Sequence, residues 1–230
     1  MPIAISMAAA RRKSRQKRVL GEWWDNGAET IRGAWQSKSA ASLAASYLDL
    51  SGNGSDLFPD ASSDGQVRWL RIPGVIAGTQ ARSIIVRHTA VSEDAPGVVF
   101  VWEDPLDVGP FLEDETDGTA LLARGVEIRF GGRKRRLTIT GSAEGVIAVT
   151  CPAYGSERAL SVYKDGVLLG IDKADAQAYN MNGEGGRATY GAGRIDISSW
   201  HVAAVAALAI YDGELGAAGV GEITEAMTKI

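Results

Sequence analysis

One cysteine in 230 residues excludes an intrachain disulfide, so the fold cannot depend on an oxidising compartment. Cys151 ends the apolar run Val146–Cys151 and reads as a buried thiol. A catalytic thiol would want a nearby base, and the only histidines are His88 and His201. Neither has a histidine, cysteine or carboxylate partner at ligand spacing, so no metal centre and no cofactor are expected. No stretch approaches the roughly 18 apolar residues of a membrane span. There is no Gly-x-Ser-x-Gly elbow, and Gly183-Glu184-Gly185-Gly186 lacks the Lys-Ser/Thr that would make it a phosphate loop. Internal repeats, heptads and low-complexity tracts are missing. Long amphipathic helices between apolar runs are also missing, which excludes a βαβ architecture.

What is present is glycine, at 28 residues, scattered among short apolar runs. That pattern predicts many turns and many strands. Strand-length runs occur at 67–72, 83–88, 98–102, 126–130, 136–140, 146–151, 159–163, 167–171 and 203–211. Gly131-Gly132 and Lys164-Asp165-Gly166 mark hairpins, the second strongly, because Asp-Gly favours the left-handed torsions of a tight turn. Val220, Ile223 and Met227 recur at helical spacing and predict a C-terminal helix. The fold expected is all-β, an antiparallel sandwich with a short closing helix. A chain of this length can form it as one domain with a substantial core.

The net charge of −4 hides an asymmetry. Arg11, Arg12, Lys13, Arg15, Lys17 and Arg18 crowd six positive charges into eight residues, leaving 18 basic against 28 acidic residues elsewhere. Ser6 can cap a helix from Met7 through this segment, but its apolar face is too thin for stability alone. The arm reads as docking on an acidic surface of a neighbouring subunit, as contacting nucleic acid or a membrane surface, or as a quiet solvated tail. Nucleic acid is the lesser reading, since basic and aromatic residues do not interleave. The apolar stretch precedes the basic one, the reverse of a signal peptide, so export by that route is not expected. Trp23 and Trp24 follow the arm as a packing plug or an exposed recognition surface. They join the arm as candidate partner-docking residues.

Two acidic clusters invite a chemical reading. Glu113, Glu115 and Asp117 would share a face on a strand and could supply a carboxylate pair. However, they lie between Gly109-Pro110 and Gly118, as a solvated loop would. Asp49, Asn53 and Asp56 have spacing suggestive of calcium, and equally of turn formation. No catalytic residue is assigned. For a sugar, the available aromatics are Trp69, Trp102, Tyr154, Tyr179, Tyr190 and Trp200. Tyr179 and Tyr190 flank the polar loop 180–189 and are the glycan-contact candidates; most of the others are expected in the core.

Three motifs carry a resemblance. Tyr47-Leu48-Asp49-Leu50-Ser51-Gly52-Asn53-Gly54-Ser55-Asp56-Leu57, the hairpin Leu160–Gly170, and Ala206–Leu215 resemble, in order, the opening segment, central hairpin and closing strand of laminin-G-like, concanavalin-A-like domains. The stretch Ala34–Tyr47 is similar to the segment preceding such domains in tailed-bacteriophage structural proteins. Gly213 and Gly219 depart from the residues usual there. The resemblance implies a jelly-roll sandwich over residues 37–230, behind an anchoring segment at 1–36. It further implies a virion structural protein, such as a tail-fibre, tail-tip or head-surface module, that is assembled in the host cytoplasm. The arm would meet other virion proteins. The sandwich would meet host-surface glycan or protein, as a homo-oligomer, with a trimer expected first. A cellular carbohydrate-binding or adhesion module is the second reading, and a glycoside hydrolase the third.

Overall fold

The computed structural model describes residues 22–25, 31–61, 67–72, 82–89, 98–102, 119–124, 127–131, 136–140, 144–151, 160–172, 194–196, 200 and 204–230. They form two antiparallel sheets. In the six-stranded sheet the spatial order is β1 (Ile31–Gln36), β13 (Val205–Tyr211), β4 (Arg82–His88), β9 (Gly145–Cys151), β10 (Leu160–Lys164) and β11 (Val167–Asp172). In the seven-stranded sheet it is β2 (Phe58–Ala61), β3 (Val67–Arg71), β12 (Arg194–Asp196), β5 (Val98–Trp102), β6 (Thr119–Arg124), β7 (Glu127–Gly131) and β8 (Arg136–Thr140). Two helices accompany them, α1 (Leu43–Ser46) and α2 (Ala217–Thr228). The strand-rich, helix-closed sandwich expected from the sequence is the fold observed.

Strand β13 shows why the layers stack as they do. Its sequence Val-Ala-Ala-Leu-Ala-Ile-Tyr offers no polar side chain to water except the tyrosine hydroxyl, and all seven residues are buried. A strand half-exposed on one face would alternate apolar and polar; this one is covered on both. One of its faces carries Ala207, Ala209 and Tyr211, in register with Ala34 on β1, Ile85 on β4 and Ala148 on β9. Four of these positions are alanine, so the sheet surface has low relief and a helix can approach closely. Val220, Ile223 and Met227 of α2 pack there, as their spacing predicted.

Both ends of α2 are tied to β4. The Ser83 hydroxyl donates to Gly213 O (2.8 Å) and accepts from Leu215 N (2.8 Å), fixing the turn that enters the helix. The Arg87 guanidinium donates to Met227 O (2.6 Å), placing a cation on one of the carbonyls left without an intrahelical partner at the C-terminus.

The opposite face of the six-stranded sheet, with Trp35, Leu208, Val86, Ile147, Ile84 and Val149, is equally buried. On the seven-stranded side, register aligns Pro59, Leu70, Ile195, Phe100, Leu121, Phe130 and Leu137 in one row across all the strands. Every member is apolar; Leu70 is fully buried, whereas Pro59, on the edge strand β2, is exposed.

The Asp165-Gly166 hairpin forms as expected. Lys164 pairs with Val167, and the two turn residues have φ of 50° and 80°, both positive as a type I′ turn requires. Several features differ from the sequence expectation. Strand β1 lies ahead of residue 37, where the sandwich was expected to begin, a helical turn, α1, occupies 43–46, and β2, β6 and β12 form where no strand was anticipated. The motif Ile-Arg-Gly-Ala-Trp-Gln is only weakly strand-like; its place is set by pairing with β13. Gly33 is required there because the Trp35 indole folds back over it. A Cβ on Gly33 would come within 2.4 Å of the ring.

Truncating Ile223 to alanine should leave a cavity between α2 and the sheet. The expected cost is about 2–5 kcal/mol, read as a lower urea midpoint with an unchanged slope.

Candidate functional site

Strand β1 is an edge, and an edge with free N–H and C=O groups invites unwanted pairing. The loop carrying Asp49, Asn53 and Asp56 closes it. Asp49 Oδ1 accepts from Ala34 N (3.0 Å), Ser51 N (3.0 Å) and Ser51 Oγ (2.7 Å), and Oδ2 accepts from Asn53 N (3.1 Å) and Ser55 N (3.1 Å). Leu50 N donates to Ala34 O (2.8 Å), and Asn53 Nδ2 donates to Ile31 O (2.7 Å). The Trp35 indole N–H reaches Ser55 O (2.9 Å), and Asp56 Oδ1 accepts from Asp49 N (2.8 Å). Gly52 and Gly54 supply the left-handed torsions, with φ of 80° and 72°.

The sequence left these three residues open between turn and calcium readings. The structure brings them together as a turn. Both Asp49 oxygens face N–H and O–H donors, the wrong polarity for a cation. Partial burial raises the Asp49 pKa, but hydrogen bonds from Ala34, Ser51 and Ser55 outweigh it and hold the carboxyl below its ordinary value. Among the described residues no group of three or more His, Cys, Asp or Glu is placed to hold a metal, and no helix is long and apolar enough to cross a membrane.

The second feature is the point where the N-terminal segment joins the body. Trp23 is buried in the cluster formed by α2 and the alanine-lined sheet face, and its indole N–H donates to Gln36 Oε1 (3.1 Å). Trp24 packs edge-on against it, with ring centroids 5.4 Å apart, and its carbonyl accepts from the Tyr211 hydroxyl (2.7 Å). Burial, and then the nearby Asp25 carboxylate, push the Tyr211 phenol well above the ordinary tyrosine value, so it remains a donor. The chain therefore enters the body on the side of the six-stranded sheet covered by α2.

The third feature lies on the other side. Strand alternation places a second row next to the apolar one: Phe58, Arg71, Arg194, Val101, Ala120, Gly131 and Arg136. It belongs to the face opposite Leu70. The flanking rows of that face hold Asp60, Trp69 and Asp196 toward β2, and Leu122, Arg124, Glu127, Arg129 and Thr138 toward β8. Five arginine positions thus share a face with three acidic ones. Phe58, at its β2 edge, is 43% exposed.

Several residues singled out in the sequence lie outside the described ones: Arg11, Arg12, Lys13, Arg15, Lys17 and Arg18 of the arm, the glycan candidates Tyr179 and Tyr190, Tyr154, His201, and the acidic run Glu113–Asp117. The side chains of Cys151, Trp69 and Trp102 are likewise outside. Trp200 is core, with its indole N–H on Ser46 Oγ (3.1 Å). Sequence reasoning did not single out Phe58 or the arginine positions. They are scattered from residue 58 to 194, and only strand order brings them together.

The sequence matches no protein-family model and no curated protein. Among solved structures, the chain is similar to the binding domain of botulinum neurotoxin serotype D. The TM-score is 0.47 at 12% identity, covering 85% of this chain and 51% of that one. It is similar to the binding domain of botulinum neurotoxin DC in complex with rat synaptotagmin II, with a TM-score of 0.47 at 12% identity, covering 86% and 52%. It also resembles the CBM40 of the Ruminococcus gnavus IT-sialidase bound to α2,6 sialyllactose, with a TM-score of 0.44 at 10% identity, covering 64% and 84%. The chain spans about half the length of the neurotoxin binding domains.

The depressed Asp49 pKa has a direct consequence. Its stabilising contribution is fully present above the unfolded-state value of roughly 4 and is lost as pH falls through the lower folded value. Asp49→Ala should lower stability by about 1–3 kcal/mol at neutral pH. The gap in melting temperature between Asp49→Ala and wild type should narrow on acidification from pH 5 to pH 2; a constant gap would contradict this account.

Proposed function

We propose that this chain is a glycan-attachment module of a bacteriophage virion, held by its basic N-terminal segment and presenting the sandwich outward. The reading is of a binding protein, not an enzyme.

The observation that carries it is the polarity of the body. Trp23 and Trp24 plug the outer face of the six-stranded sheet together with α2. That face is thereby consumed by the chain's own packing. A ligand is left with the side of the seven-stranded sheet, away from the face on which Trp23 and Trp24 pack. An attachment module needs that separation, because a site beside the anchor would be blocked by the particle. The sequence adds six cationic residues in the arm itself. A cluster of that kind suits docking on an acidic neighbouring surface.

Weak single-site contacts become strong when copies are held together, so attachment through such a module works as an array. A homo-oligomer, with a trimer first, fits this use. The resemblance of Ala34–Tyr47 to the segment that precedes such domains in tailed-phage structural proteins points the same way.

Two measurements test the reading. Deleting residues 1–20 should abolish incorporation into particles while leaving the melting temperature of the body unchanged, because Trp23 and Trp24 remain. The full chain, printed against a glycan array, should bind a subset of oligosaccharides with single-site dissociation constants of roughly 0.1–1 mM, the weak range from which multivalency gains. Incorporation of the truncated chain, or an array without signal, would overturn it.

A further inference from the structure

We propose that copies of this chain meet flank to flank and head to tail. The exposed aliphatic strip of β11 on one copy packs against the exposed apolar side of the segment between α1 and β2 on the next. The contact rests on the attachment reading for its use, as the link between copies in an array, while its geometry stands without any glycan.

Among the described residues seven large apolar side chains are exposed, each between 38% and 64%, and they fall in two places. Val167, Leu168 and Leu169 are consecutive on β11. Leu43, Leu48, Leu50 and Phe58 belong to the segment from α1 to β2. Single exposed apolar residues are ordinary on a protein surface, whereas clusters of them mark contacts. The two places are opposite flanks of the sandwich. Strands β11 and β8 end their sheets next to one another, so β1 and β2 end them on the far side. There the loop hydrogen-bonds along β1, with Asp49 turned in toward Ala34 N and its neighbours Leu48 and Leu50 turned out.

Neither flank suits its own copy. Strand β11 has no ionisable side chain from Gly166 to Ile171, so it lacks the charges that keep an edge apart from a neighbour. A bulge at Leu169, however, interrupts its register, and a bulged edge is a poor template for adding a strand. On the other flank the exposed Asp56 lies next to Leu48, where its Oδ1 accepts from Asp49 N (2.8 Å). Pairing that flank with itself would bring Asp56 near its own copy, and facing like charges oppose association. A two-fold contact would in either case cover one cluster and leave the other wet. A head-to-tail contact covers both in every copy.

The area is sufficient. A large apolar side chain presents roughly 200 Å² when bare, so the seven, about half exposed, offer roughly 650 Å². An interface core is about two-thirds apolar, which makes the whole contact roughly 1,000 Å², the size from which a specific interface holds. The flanks are also the surfaces left over. One side of the sandwich is taken by α2 with Trp23 and Trp24, and the attachment reading gives the other to ligand.

The experiment follows the mass of the full chain by sedimentation from roughly 1 to 100 μM, a range that spans moderate to weak self-association. Wild type should grow from monomer to trimer or beyond. Leu168→Glu and Leu48→Glu, both at exposed positions, should each remain monomeric with an unchanged melting temperature. Mixed in equal amounts, the two variants should form a dimer and nothing larger, because each keeps the flank that the other lacks. Amide exchange in β11 and in 47–58 of the wild-type protein should slow between the dilute and the concentrated sample, a measurement that needs no substitution and stays decisive if a variant fails to fold. A wild type that remains monomeric or stops at a dimer, assembly retained by either variant, or a mixture that stays monomeric would overturn the head-to-tail contact. None of these outcomes touches glycan binding by a single copy. A glycan array without signal, in turn, would overturn the attachment reading and leave the contact standing.

Discussion

The six-stranded sheet is a middle layer, and most of the architecture is a consequence of that. A sheet with one wet face can tolerate polar residues at alternate positions; one covered on both sides cannot. Strand β13 meets the constraint with alanines toward α2 and larger aliphatics toward the interior. The alanines matter as much as the bulk opposite them. If that face carried leucines throughout, α2 would be held off, and the contacts of Val220, Ile223 and Met227 would be spread over fewer neighbours. The polar ties at each helix end, Ser83 to the entering turn and Arg87 to the exit carbonyl, both originate on β4. Register in the sheet thereby sets the register of the helix above it.

Burial on both faces leaves the edges to be managed. At β1 the solution is an intramolecular loop organised by one carboxylate. Asp49 accepts five hydrogen bonds, and four of the donors, Ala34 N on the strand and Ser51 N, Asn53 N and Ser55 N in the loop, are backbone groups that would otherwise want water. The same cluster of Asp, Ser, Gly and Asn that resembles a ligand-binding segment in sequence is thus a covering device in this fold. At the other edge, β11 runs near β8 of the facing sheet while Val167, Leu168 and Leu169 remain partly exposed.

Much of this was legible in the sequence because the signals were local. Asp165-Gly166 specifies its turn within four residues, and the spacing of Val220, Ile223 and Met227 specifies a helix and its buried face. Most strand runs from 67 onward were visible for the same reason, but β6 and the three-residue β12 were not. Strand β1 was harder. Gly33 weakens its intrinsic preference, and the partner that holds it, β13, lies about 170 residues away in the chain. The arginine face was illegible for a related reason. Arg71 and Arg194 are neighbours only because β12 inserts between β3 and β5, a crossover that no local pattern announces. Aromatics flanking a polar loop drew attention in the sequence, whereas the charged positions that strand order assembles did not.

The direction in which the body faces follows from the same layering. Because the six-stranded sheet needs a cover on its outer side, the chain supplies one from both termini: α2 from one end and Trp23 with Trp24 from the other. The N-terminal segment is consequently tethered where the sandwich is already closed. On the seven-stranded sheet the described positions of β3 alternate, with Leu70 buried and the adjacent Arg71 on the opposite face. The side on which Trp23 and Trp24 pack therefore needs no separate explanation: it is the face of a doubly buried sheet that the other sheet does not cover.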